Sequence, residues 1–135
     1  MSGCQQWFTA PAAQLMPLAP HPAIPLAVYR SVLDVQGLTA WAGLHQVCRP
    51  QPGQTLVVTA AAGSVGSLVC QLGAQLDLHV VGIAGGADKC RWLREEAGIA
   101  ATIDYKAGDV AARLDALCPR GIDMVFESVG GPVLD

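Results

Sequence analysis

Charge is what this chain lacks most. Of its 135 residues 14% are Asp, Glu, Lys or Arg, against about 25% in an ordinary soluble domain. Eight Lys and Arg stand against eleven Asp and Glu, a net charge of −3, so there is no basic surplus of the kind that grips nucleic acid. No charged residue precedes Arg30, which leaves no positive n-region for a secretory leader, and Pro11, Pro17, Pro20, Pro22 and Pro25 break any spanning helix in that stretch. A second uncharged run between Arg49 and Asp77 is interrupted by Gln51, Gln54, Gln71 and Gln75, which argues against a membrane span. Cys4, Cys48, Cys70, Cys90 and Cys118 are odd in number and widely spaced, with no C-x-x-C pair and no metal-ligand spacing. They suit a reducing cytoplasm better than a disulfide framework.

What is present is an apolar chain, 52% hydrophobic with 15 Gly and 9 Pro. That composition folds, and the length suits one domain. A chain of this size buries only about two-thirds of the surface it exposes when unfolded. So little charge implies cover from elsewhere, by a sheet edge or an apolar face meeting another copy.

Residues 1–36 read as an irregular arm, or the tail of a preceding unit, because their Pro, Ala and Gln show no lasting periodicity. From Gly37 the pattern changes. Leu38, Trp41, Ala42, His45 and Cys48 fall at helical spacing until Pro50 and Pro52-Gly53 stop them. Thr55–Ala60 is a β-branched run suited to a strand buried on both faces. After it Val65, Leu68, Val69, Leu72 and Leu76 form one helical stripe, which Ser64 could cap and which ends near Asp77. His79–Ala84 predicts a second strand, followed by a helix that Asp88 could cap and Gly98 could end. Ala101–Asp104 is a third strand, Val110, Ala111, Leu114 and Leu117 a third stripe, and Ile122–Glu127 a fourth strand. Such alternation predicts an α/β, doubly wound parallel sheet of the Rossmann type. About four strands of the full six are present, so residues 37–135 read as an incomplete dinucleotide-binding domain.

The turn after the first strand carries the chemistry. A helix N-terminus offers free N–H groups and the positive end of a dipole to an anion, provided the backbone can come close. Ala61-x-Gly63-x-x-Gly66 matches the G-x-G-x-x-G fingerprint with Ala in the first place. Gly63 would permit close approach to a pyrophosphate and Gly66 tight helix–strand packing. A Gly/Ala-rich turn that merely packs the unit is the blander alternative. The acid expected about 20 residues further on, which would bind a ribose 2′-hydroxyl, is absent. Gly85 stands there instead, with Lys89 and Arg91 soon after, and positive charge at that place favours a 2′-phosphate and hence NADP. Asp88 could accept from a ribose hydroxyl, although a helix cap is the simpler role.

Other residues read as structural. His21, His45 and His79 are isolated, and Trp7, Trp41 and Trp92 suit packing anchors. Asp123 and Glu127, four apart on a strand, would stand about 13 Å from one another. Neither is assigned chemistry. Cys90 lies between two cations but has no activating His nearby, and no catalytic or metal-binding residue is assigned in this chain.

Five blocks in order carry a family resemblance: Gly37-Leu38-Thr39-Ala40-Trp41, Ala60–Ser67, Val81–Cys90, Ile103-Asp104-Tyr105-Lys106 and Phe126–Gly131. Together they resemble the zinc-independent medium-chain reductases, above all the leukotriene B4 dehydrogenase, prostaglandin reductase and curcumin reductase branch. The resemblance implies a cytosolic, commonly dimeric NADPH-dependent enzyme that reduces the C=C bond of α,β-unsaturated ketones or aldehydes, with quinone reduction on the same fold as the alternative. It also implies that Gly63, Ser64, Val65 and Gly66 hold the pyrophosphate, that Lys89 and Tyr105 contact the 2′-phosphate end, and that Ser128 stands where the family usually has Asn. Gln36 replaces a usual Pro. The family's N-terminal catalytic domain and its strands after Val-Gly-Gly have no counterpart in this sequence. A non-catalytic nucleotide-binding or self-associating module is the reading of a different class.

Overall fold

The computed structural model describes residues 6–131; Cys4 lies outside them. Its centre is a four-stranded parallel sheet in the order β3-β2-β1-β4, with β1 at Thr55–Val58, β2 at His79–Ala84, β3 at Ala101–Asp104 and β4 at Met124–Phe126. The helices are α1 (Leu26–Tyr29), α2 (Val35–Ala42), α3 (Ser64–Gln75), α4 (Ala87–Glu95) and α5 (Val110–Leu117). This is the doubly wound arrangement expected from the alternation.

Both faces of the sheet are covered, which is why its strands read as continuous apolar runs. Leu56, Val58, Val80 and Ala84 face one core with Leu44, Val69, Cys70 and Leu93, while Val57, Val81 and Ile83 face the other with Ile103, Cys118 and Leu114. Full burial of each large aliphatic side chain contributes about 1.5–3 kcal/mol. Glycine brings α3 onto the sheet: a Cβ on Gly73 would stand 2.9 Å from Val80 Cγ2 and 3.1 Å from Leu56 Cδ2.

Several boundaries differ from expectation. The arm contains the helical turns Ala12–Gln14 and α1, and α2 begins at Val35 rather than Gly37 because Asp34 accepts the Val35 N–H. The helix then continues as a π-helical segment, Gly43–Cys48, ended by Arg49 in the left-handed region. β1 stops at Val58, since Ala60 takes φ 44° and turns the chain. β4 is shorter than Ile122–Glu127, and the acids flanking it bond backbone amides. Asp123 Oδ2 accepts the Thr55 N–H at 2.7 Å, and Glu127 accepts the N–H groups of Val129 and Gly130.

Neither proposed side-chain cap forms: α3 starts after Gly63 and α4 after Gly86, both without a capping side chain. Of the tryptophans, Trp7 is 87% exposed and anchors nothing among the described residues, whereas Trp41 tilts against the His45 ring. His79 Nε2 meets the Leu117 carbonyl at 3.0 Å, in keeping with a structural role. Among the described residues no helix is long and apolar enough to cross a membrane.

Candidate dinucleotide site

The carboxyl ends of the parallel strands share one rim, and the loops leaving them carry every anticipated site residue. In an open α/β sheet this is where ligands bind. After β1 the left-handed Ala60 folds the chain back, Ala61 donates to the Ile83 carbonyl at 3.0 Å, and Gly63 donates to Ala60 O at 2.8 Å. That pins a short turn against the sheet and starts α3.

Gly66 is buried against the turn, and a Cβ there would overlap the Ala60 carbonyl oxygen and stand 3.0 Å from Ala61 Cα. Gly63 is less constrained, its Cβ position lying 3.0 Å from Ala60 O. The N–H groups of Ser64, Val65 and Gly66 find no acceptor among the described residues, while Gly63 and Ser64 are exposed. Three unbonded amides stand at the positive end of a twelve-residue helix, an arrangement able to accept an anion.

The second loop follows β2. Gly86 has φ 105°, a conformation that suits glycine alone, and leads into α4. Asp88 turns its carboxylate to Arg91, an i,i+3 pair at 2.5 Å, so it does not cap the helix. Exposed Lys89 forms no salt bridge among the described residues and is the uncommitted cation of this helix start. The ring of Tyr105, from the loop after β3, occupies the space beside Gly85: a Cβ on Gly85 would stand 2.7 Å from Tyr105 Oη. Lys106 Nζ lies 6.0 Å from the centre of that ring, adding a second cation.

The third loop follows β4. Thr59, buried at the end of β1, accepts the Ser128 N–H at its Oγ1, 2.9 Å away, and its own N–H donates to Phe126 O at 3.1 Å. Ser128 is thereby fastened beside the 60–66 turn. Burial works to raise the Glu127 pKa, but the Gly130 and Val129 amides outweigh it and hold the carboxyl below its ordinary value. Glu127 therefore shapes the turn.

Sequence reasoning missed Thr59, Asp104 and Lys106. A threonine closing an apolar strand and an acid ending the strand before Tyr105 were the available signals. Two concavities open on the surface. One of about 620 Å³ runs between residues 32–41 and α3, away from the rim, and one of about 490 Å³ reaches from Arg94 and Thr102 to Asp104 and the loop after β3; neither is lined by the anticipated residues.

A parallel sheet with an anion-receptive, glycine-bearing turn between its first strand and helix defines a dinucleotide-binding α/β domain. The chain matches the zinc-binding dehydrogenase family over residues 64–135, more than half its length, and belongs to that family. It is 42% identical over 134 residues to the NADPH-dependent curcumin reductase of Escherichia coli, covering 99% of this chain and 39% of that protein. It is 38% identical to the NADP(+)-dependent 2-alkenal reductase of Nicotiana tabacum, covering 100% of this chain and 40% of the relative. Among solved structures it resembles CurA of Vibrio vulnificus in complex with NADPH, with a TM-score of 0.81 and 43% identity over 90% of this chain and 36% of that one. These relatives represent the reductase branch expected from the five sequence blocks. The chain spans about 40% of the length of the two curated relatives.

The family description mentions zinc, but no group of three or more His, Cys, Asp or Glu comes together among the described residues in a way that could hold a metal. The side chains described do not fit a zinc centre.

Proposed function

We propose that this chain is the cofactor-binding part of an NADPH-dependent reductase acting on the C=C bond of α,β-unsaturated ketones or aldehydes. The observation that carries the reading is the row of unbonded amides at Ser64, Val65 and Gly66, at the sheet's carboxyl rim behind exposed Gly63 and Ser64, with Lys89 one loop away. In this reading Gly63, Ser64, Val65 and Gly66 receive the diphosphate, Lys89 and Tyr105 receive the 2′-phosphate, and Ser128 meets the cofactor further along the rim. Bound NADPH supplies the hydride. No residue of this chain is assigned to proton transfer, and residues 37–135 form the nucleotide-binding unit behind an arm at 1–36.

Titration of the chain with NADPH and NADH, following nicotinamide fluorescence, tests the reading. Tighter binding of NADPH supports it; equal affinity defeats the Lys89 assignment, and binding of neither defeats the whole. Activity of the full-length enzyme on paired enone and quinone substrates separates the favoured chemistry from quinone reduction.

A second copy is the proposed cover for the far side of β4. That strand pairs only with β1 among the described residues, and its Val125 is 51% exposed. Light scattering that shows a monomer at high concentration removes this part, whereas a dimer without turnover favours the self-associating module over the enzyme. A cytoplasmic location fits free Cys48, Cys70, Cys90 and Cys118; burial pushes the Cys70 thiol up to about 12, away from ready oxidation. Fractionation of cells expressing the protein checks it.

A further inference from the structure

Asp104 ends the edge strand β3, and its carboxylate serves two loops at once. Oδ1 accepts the Gly86 N–H at 2.8 Å and the Lys106 N–H at 3.0 Å. Gly86 immediately precedes α4, which has no side-chain cap of its own, so the fixed point at the start of that helix is an acid 18 residues away in sequence. Lys89 is the third residue of the helix. On the other side, the Lys106 amide fixes the turn that carries Tyr105, whose own N–H donates to Ala84 O at 3.1 Å. One oxygen atom therefore sets the distance between the loop of Lys89 and the loop of Tyr105.

The choice of residue is informative. A carboxylate close to a phosphate dianion repels it, so an acid here is unfavourable to a 2′-phosphate unless its geometry repays the charge. Both amides go to the same oxygen, an arrangement that any correctly placed carbonyl-type acceptor can reproduce. Position, rather than charge, is what the two loops require.

We infer that Asp104 is the positioning residue for discrimination of the cofactor's 2′-phosphate, holding Gly86 and Lys106 so that Lys89 and Tyr105 converge on one phosphoryl group. The inference rests on the NADP reading and extends it to a residue outside the expected contacts.

The test uses the full chain with Asp104→Asn, Asp104→Glu and Asp104→Ala, two probes, and amide hydrogen exchange. The probes are adenosine 2′,5′-bisphosphate and adenosine 5′-monophosphate, which differ by the phosphate in question. The wild type prefers the bisphosphate. Asp104→Asn, which keeps an acceptor in place without the charge, retains that preference and the protection of the Gly86 and Lys106 amides. Asp104→Glu, which keeps the charge but moves the oxygens by one methylene, loses the protection and lowers the preference about tenfold, as Asp104→Ala does, roughly the loss of one charge-assisted hydrogen bond. The Asn and Glu variants decide the matter even if the Ala variant fails to fold. Preference that survives in Asp104→Glu, or is lost in Asp104→Asn with protection intact, overturns the inference alone. A wild type without preference for the bisphosphate overturns the NADP reading and this inference together.

Discussion

Thr59 Oγ1 accepts the N–H of Ser128 at 2.9 Å, joining the end of the first strand to the loop after the fourth across 69 residues of sequence. Thr59 is 3% exposed while Ser128 is exposed, so the bond is partly buried and shielded from water on the Thr59 side. Thr59→Val keeps the shape and removes the acceptor; stability in urea falls by about 1–2 kcal/mol and the Ser128 amide loses its exchange protection. Thr59→Ser restores both. An unchanged Ser128 amide in Thr59→Val contradicts the role.

Gly66→Ala forces a methyl group into the Ala60 carbonyl. Because that contact is backbone, the turn itself must move, at about 1–3 kcal/mol and with NADPH binding weakened at least tenfold. Gly63→Ala, whose methyl meets only Ala60 O at 3.0 Å, is the milder variant in both measurements. The reverse order contradicts the geometry described for the turn.

Lys89→Ala leaves thermal stability unchanged, since its side chain forms no salt bridge among the described residues. Affinity for NADPH drops about tenfold, the loss of one ammonium–phosphate contact, while affinity for NADH stays level. The wild-type preference also shrinks as salt rises. Equal losses for both cofactors place Lys89 elsewhere on the ligand.

Glu127 supplies a pH dependence whose sign is fixed. Its folded-state pKa is lowered, so the stability it contributes is present above its ordinary value of 4.5 and is lost as pH falls through the lower folded value. Glu127→Gln cannot titrate, and its stability curve is shallower as pH falls from 4.5 through the lower folded value of the wild type. Identical acid limbs in the two proteins contradict the contribution.

The strands were the most legible part of the sequence. Runs such as Thr55–Val58 and His79–Ala84 are apolar on both faces because helices cover both, and local composition records that burial directly. The glycine turn was legible too, because the backbone approach of Gly66 to Ala60 admits no side chain. Helix starts were misread at Ser64 and Asp88. Ser64 became the first helical residue after Gly63, and Asp88 found Arg91 one turn ahead. The acceptor at Gly86 comes instead from Asp104, and the anchor of Ser128 from Thr59. Both bonds join distant strand ends brought together by the parallel register, which no local pattern encodes.

The central claim is that the amides of residues 64–66 receive a dinucleotide's diphosphate. Backbone amide spectra of the isotopically labelled chain, recorded during titration with NADPH, test it at those atoms. Saturable shifts largest at Ser64, Val65 and Gly66, with a second group at Gly86, Lys89 and Tyr105, are the predicted result. Shifts confined to the groove between residues 32–41 and α3, or none at all, contradict it.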